Sequence, residues 1–208
     1  MCDGTRAKDF GVSPRLTPRI GFHSLDCVQG FQGESHARAG DRSLPGSVVI
    51  PEKIARFLEQ RANVAFAGTR NRDLVPFGHR VSGWCIGADR RTLTAFTPEP
   101  FTAGLVESLQ ENGELALTVE DFPTHETYQF KGRYVSHRPA RREDSAIVDR
   151  IRDRFMKSMK AVFPVLPDGL AGAFISAPVL AVEFEVSEIF VQTPGPGAGA
   201  RIVPPAEA

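Results

Sequence analysis

"VPFGHRVSGWCIGADRRTLTAFT", residues 75–97, decides the fold class. Two strand-like runs, 75–86 and 92–97, flank the turn GADRR, and together they predict a β-hairpin. Just upstream, "NVAFAGTR" (63–70) has the β-branched and aromatic content of a strand, and "RNRD" makes its turn. A short helix precedes it: Pro51 suits a first helical position, and Ile54, Phe57 and Leu58 fall on one face.

Downstream the period changes. In "TPEPFTAGLVESLQENG", Phe101, Leu105 and Leu109 recur at helical spacing. Thr97 is the expected cap, Pro98 the opening and Asn112-Gly113 the close. "ELALTVE" returns to strand, with Leu115, Leu117 and Val119 on one face. "DFPTH" leads into a long strand, 125–137. Tyr128, Phe130 and Tyr134 share one of its faces, and Thr127, Gln129, Lys131 and Arg133 share the other. "REDSAIVDRIRDRFMKSMKAVF" is the longest helix, with Ile147, Ile151, Phe155 and Met159 four apart. In the last strand, "VLAVEFEVSEIFVQ", Leu180, Val182, Phe184, Val186 and Phe190 are expected to alternate inward.

The order is therefore helix, three strands, helix, two strands, helix, strand. Strands that come in runs exclude a doubly wound parallel sheet. They predict a mainly β, antiparallel sheet or barrel with peripheral helices.

Composition sets the outer bounds. The chain of 208 residues is 41% hydrophobic and 24% charged, enough for one substantial core. Lys+Arg and Asp+Glu are each 25, so net charge is zero and nothing points to nucleic acid or a membrane surface. Cys2, Cys27 and Cys85 are scattered, without CxxC spacing, and read as reduced thiols. "MCDGTRAKDFGVSPR" has no apolar h-region and no run reaches membrane-span length, so the expected location is cytoplasmic. Residues 1–46, rich in Gly, Arg, Ser and Asp, are expected to form a flexible N-terminal arm. Residues 47–192 are the domain. Residues 193–208 are a Gly/Pro-rich tail expected to lack regular structure. No internal repeat is present.

The ordered set "NVAFAGTR", "VPFGHRVSGWCIGADRRTLTAFT", "ENGELALTV" and "ETYQFKGRYV" resembles the pyridoxamine 5'-phosphate oxidase-like family of FMN-binding split barrels. The resemblance covers residues 50–135 well and the closing helix and strand more loosely. It implies a six-stranded antiparallel split β-barrel that forms a homodimer, binds FMN at the subunit interface and acts as a flavin-dependent oxidoreductase on a small-molecule substrate. It implies FMN contacts from Arg80 with Ser82, from Phe96-Thr97, from Thr102, and from Thr127 and Gln129 ahead of Gly132.

Such residues suit that ligand. Arg80 offers bidentate charge-assisted bonds to a phosphate. The helix start after "TPEP" offers backbone N–H groups. Polar side chains on strands can bond the ring and tune its redox behaviour. One departure stands out. Thr102 and Ala103 occupy the place where the family commonly carries a basic pair, and Glu99 is close by. Arg70, Arg72, Arg80 or Lys131 then has to compensate. The tail "VQTPGPGAGARIVPP" lacks the Trp and Arg pattern that closes the true oxidases, which argues against pyridoxamine phosphate as the substrate.

His79 has the opposite parity to Arg80, beside Phe77 and Val81, and reads as a packed or hydrogen-bonded core residue. Some relatives bind haem, so His79 and His125 are the residues to check for ligation, although no H-x-x-x-H or H-E-x-x-H spacing supports metal. Trp84 shares parity with Arg80 and Ser82 and is expected to pack; Cys85 is expected to be buried. There is no nucleophile–base pair and no G-x-S-x-G, so no catalytic acid or base is nominated. The competing class is a non-catalytic barrel that binds haem or another small ligand, or one without a cofactor.

Overall fold

The computed structural model describes residues 46–166, 169 and 177–202. The N-terminal arm, up to residue 45, lies outside the described residues, as do Cys2 and Cys27. The elements are α1 (Glu52–Gln60), β1 (Val64–Arg70), β2 (Pro76–Arg80), β3 (Gly83–Ile86), β4 (Thr92–Pro98), a 3-10 turn (Glu99–Phe101), α2 (Thr102–Asn112), β5 (Glu114–Asp121), β6 (Glu126–Pro139), α3 (Arg142–Val162), β7 (Pro178–Val191) and β8 (Arg201–Ile202).

All strand pairs are antiparallel, in the order β2-β1-β5-β6-β7-β4-β3, with β8 added to β7. The run expected as one strand, 75–86, is broken at Val81-Ser82. Its halves lie at opposite ends of this order. Val81 N–H donates to Ala65 O at 3.2 Å and Ser82 N–H to Phe96 O at 2.7 Å, so the bend bonds to β1 on one side and β4 on the other. Counting β2 and β3 as one bent strand leaves six strands around a closed path. This is the antiparallel split β-barrel with peripheral helices.

Alternation fills the barrel. Leu93, Leu117, Val119, Phe130, Val182, Phe184, Val186 and Ile189 point in and are fully buried. Each such side chain contributes about 1.5–3 kcal/mol by leaving water. The apolar face of α1 joins this core, and Trp84 Nε1–H donates to Leu58 O at 3.2 Å. Trp84 therefore points inward, although strict alternation from Arg80 would place it outside; the bend resets the phase. Outside the barrel, α3 lays Val148, Phe155 and Met159 over Phe96 and Ala181, and half-buried Cys85 packs against this second cluster. Gly83 makes room for α3, since a Cβ there would stand 3.0 Å from Ile151 Cδ1.

Several local expectations change. Val148, not Ile147, is the fully buried member of the α3 stripe. Thr97 caps nothing: β4 runs on through Pro98, and a 3-10 turn intervenes before α2. Pro51 stands just before α1 rather than in its first turn. Gly113, at φ 68, closes α2 as expected. Phe190 is not inward-facing. Pairing jumps from Gly132↔Val186 to Lys131↔Glu188, and the extra residue, Ser187, shifts the phase so that Ile189 enters the core. At this bulge the chains pass so closely that a Cβ on Gly132 would lie 2.0 Å from Glu185 O. The tail also has regular structure: Ile189 pairs with Ile202 and Phe190 with Arg201.

Candidate functional site

With odd positions of β1 and β5 pointing into the core, their even positions face outward, and the pairing aligns them. Arg80 stands opposite Phe66, Phe66 opposite Thr118, Thr118 opposite Gln129, Gln129 opposite Phe190, and Phe190 opposite Arg201. Four inter-strand steps from Arg80 to Phe190 span about 19 Å. The next row is Gly78, Gly68, Ala116, Lys131 and Glu188. A Cβ built on Gly68 meets nothing within 4 Å, and one on Gly78 meets only Ala67 O at 3.7 Å. Small residues thus leave bare backbone as a flat floor beside Phe66, which is 52% exposed.

Polar groups edge this floor. Arg80 holds its guanidinium 5.1 Å from the centre of the Phe155 ring on α3. Partial burial lowers its pKa, and an arginine still keeps its charge at neutral pH. Gln129 Nε2 donates to Thr118 Oγ1 at 3.1 Å. Lys131 Nζ lies 4.7 Å from the Phe190 ring centre, and Arg201 Nε lies 3.3 Å from Glu188 Oε1.

Of the residues expected to bind cofactor, Arg80 and Gln129 share this row. Thr127 is two positions along β6 on the same face, but it is buried: its hydroxyl donates to His125 O at 2.8 Å. Ser82, Phe96 and Thr97 do not join them. Phe96 is fully buried beneath α3. Thr97 is fully buried inside the barrel, its Oγ1 3.3 Å from His79 Nε2. Ser82 is buried at the bend, and its Oγ has no partner among the described residues. Strand β4 alternates between barrel interior and the α3 interface along this stretch, so neither face of Phe96-Thr97 reaches the floor. Thr102 opens α2, and its hydroxyl donates to Glu99 O at 3.0 Å.

His79 is 5% exposed and stacks on Phe101 with ring centres 5.3 Å apart. Burial pushes its pKa down to about 4, so the ring is neutral at pH 7. It is a core residue, as its parity predicts. His125 is on the surface, its Nδ1 2.7 Å from Glu120 Oε1. No group of three His, Cys, Asp or Glu that could hold a metal occurs among the described residues. Nor is any helix among them long and apolar enough to cross a membrane.

Sequence reasoning missed Phe66, Thr118, Phe190 and Arg201. Phe66 had a signal: a lone aromatic between Ala65 and Ala67 in a strand whose other parity is small and buried.

Fold and face together define an antiparallel split β-barrel with an outer face on which Gly68, Gly78 and Ala116 leave the backbone bare. No family model and no curated protein matches the chain. Among solved structures it is similar to HupZ of Group A Streptococcus at 14% identity, covering 73% of this chain and 100% of that one, with a TM-score of 0.44. An F420 reductase is similar at 14% identity, covering 67% and 98%, with a TM-score of 0.43. An FMN-binding protein from Syntrophomonas wolfei is similar at 14% identity, covering 66% and 83%, with a TM-score of 0.42. At these values the likenesses say nothing of ligand or reaction, and the fold class stands on the strand order itself.

Proposed function

We propose that the outer face binds FMN and that the protein is a flavin-dependent oxidoreductase acting as a homodimer on a small-molecule substrate. The observation that carries this reading is the Arg80–Phe66–Thr118–Gln129 row beside a floor of Gly68, Gly78 and Ala116. The donor set suits a planar ring with an anionic tail. Arg80 would hold the phosphate through charge-assisted bonds. Phe66 and the side-chain-free floor would accept the ring, and the Thr118–Gln129 pair would bond its heteroatoms.

The missing basic pair at Thr102-Ala103 is not replaced on α2. Arg70 is paired with Glu114 at 2.9 Å, Arg72 stands in the β1–β2 turn and Lys131 stands in the neighbouring row. Arg80, in the row itself, is the cation assigned to the phosphate. FMN, when bound, supplies the hydride and electron chemistry, and these residues bind and orient it. A flat face covers one side of a ligand only, so a second copy of the chain would supply the other wall and exclude water.

The test is the absorption spectrum of the purified full chain, followed by titration with FMN and flavin-fluorescence readout. A flavin band, or saturable FMN uptake, is the expected result. Arg80→Ala should weaken FMN affinity about 10- to 100-fold, the loss of a charge-assisted contact. A colourless protein that takes up no FMN at saturating concentration rejects the reading; a Soret band moves it to the haem-binding class.

A further inference from the structure

The bulge on β7 builds a cation–aromatic pair at the edge of the bare floor. Without the extra residue at Ser187, alternation from Val182, Phe184 and Val186 would turn position 190 into the core. With it, Ile189 enters the core and Phe190 turns to the outer face. Ser187 Oγ also donates to Lys131 O at 3.2 Å, which ties the bulge to β6 at that residue. Lys131 Nζ rests 4.7 Å from the centre of the Phe190 ring. The ring quadrupole attracts a cation placed there.

This pair lies within reach of the floor. Lys131 belongs to the floor row itself, directly opposite Ala116 on β5, about 5 Å away between Cα atoms. Gln129 is two residues from it on the same face of β6, about 7 Å along the strand. Arg80 stands three inter-strand steps away on β2, about 14 Å across the sheet, so the two cations flank the floor. Three other cations of this face are paired with carboxylates. Glu114 holds Arg70 at 2.9 Å and Arg133 at 3.6 Å, and Glu188 holds Arg201 at 3.3 Å. Glu188 is the cross-strand neighbour of Lys131, yet its carboxylate is with Arg201. Among the described residues Lys131 has no carboxylate partner. An exposed ammonium in that state favours an anion from solution, and the ring beside it offers an apolar surface to whatever carries the charge.

We propose that Lys131 is a specificity-determining residue for the substrate of the outer face, and that this substrate is an anion. It carries a carboxylate or phosphate on a planar body, with the charge on the Lys131 ammonium and the body against Phe190. The contact is non-covalent and moves no proton. This rests on the reading of the outer face as the FMN site, with the FMN phosphate on Arg80.

The experiment uses the full chain loaded with FMN. The flavin visible band and fluorescence are followed during titration with benzoate, with phenyl phosphate, and with benzamide as the uncharged analogue. At least one anion should perturb the flavin saturably and bind about 10-fold more tightly than benzamide, the worth of one charge-assisted contact. Lys131→Met should erase that preference, and Lys131→Arg should keep it. FMN affinity should stay within about 3-fold of wild type in both variants, since the phosphate contact is untouched. A larger loss in Lys131→Met makes Lys131 a contact of the cofactor and overturns the proposal. So do two anions that bind no better than benzamide, or a preference that survives Lys131→Met. These results leave the cofactor reading standing. Failure to bind FMN at all overturns that reading and this proposal with it.

Discussion

His79 carries no charge at neutral pH because nothing around it offsets the loss of water. Its neighbours are Phe77, Phe101 and the Thr97 hydroxyl, and its pKa falls to about 4. The unfolded chain protonates this histidine near pH 6.5. Between these values the unfolded state binds more protons than the folded one, so stability rises with pH. His79 is thus compatible with full stability above pH 6.5 and costs stability progressively as pH falls to about 4. The total loss is on the order of 3 kcal/mol. Urea unfolding of wild type and His79→Leu across pH 7.5 to 4 measures this directly. The wild type should lose more stability over that interval, by roughly that amount, and parallel curves would reject the assignment. The contrast between His79 and Arg80 was legible in the sequence, because strand parity alone separates neighbours. The burial of Ser82 was not legible, nor the side that Trp84 takes, although Trp84 packs as expected: a bend that serves two sheet edges leaves no compositional mark.

At the scale of elements, α3 shows how a helix start is fixed without the usual Ser or Thr. Asp144 reaches back to the Arg141 N–H at 2.7 Å and takes two bonds from Arg138, at 2.6 and 2.9 Å. Burial alone would raise its pKa, but the Arg138 hydrogen bonds, with the Arg141 bond, hold it below the ordinary carboxylate value. Its contribution is therefore present above the unfolded carboxylate pKa and is lost as pH falls through the lower folded value. Asp144→Ala strands Arg138 and removes the cap, so it should cost about 3 kcal/mol by denaturant midpoint. A loss below about 1 kcal/mol would show that the pair does not anchor the helix. The strands themselves were readable, because Leu115, Leu117 and Val119 alternate without interruption. The bulge at Ser187 was not: one inserted residue among alternating apolar positions exchanges Phe190 for Ile189 without altering composition.

The whole molecule turns on which residues the register sets side by side. Arg80 and Gln129 were chosen through the family resemblance, and strand parity set only the face that each occupies. Phe66, Thr118 and Phe190 could not be chosen from the sequence, because their alignment is a property of four separate pairings rather than of any local run. The same register leaves Phe66 exposed on a face with almost no side chains around it, which is a poor solvent surface and a good packing surface. If two copies meet there over FMN, a charge at this position should separate them without disturbing the core, since Phe66 points away from it. Phe66→Asp should convert a dimer to a monomer by size-exclusion chromatography with light scattering. FMN affinity should fall with it, while the far-ultraviolet circular dichroism and the melting temperature stay near those of the wild type. A Phe66→Asp protein that remains dimeric would place the subunit interface elsewhere, and one that also keeps its FMN affinity would remove Phe66 from the site.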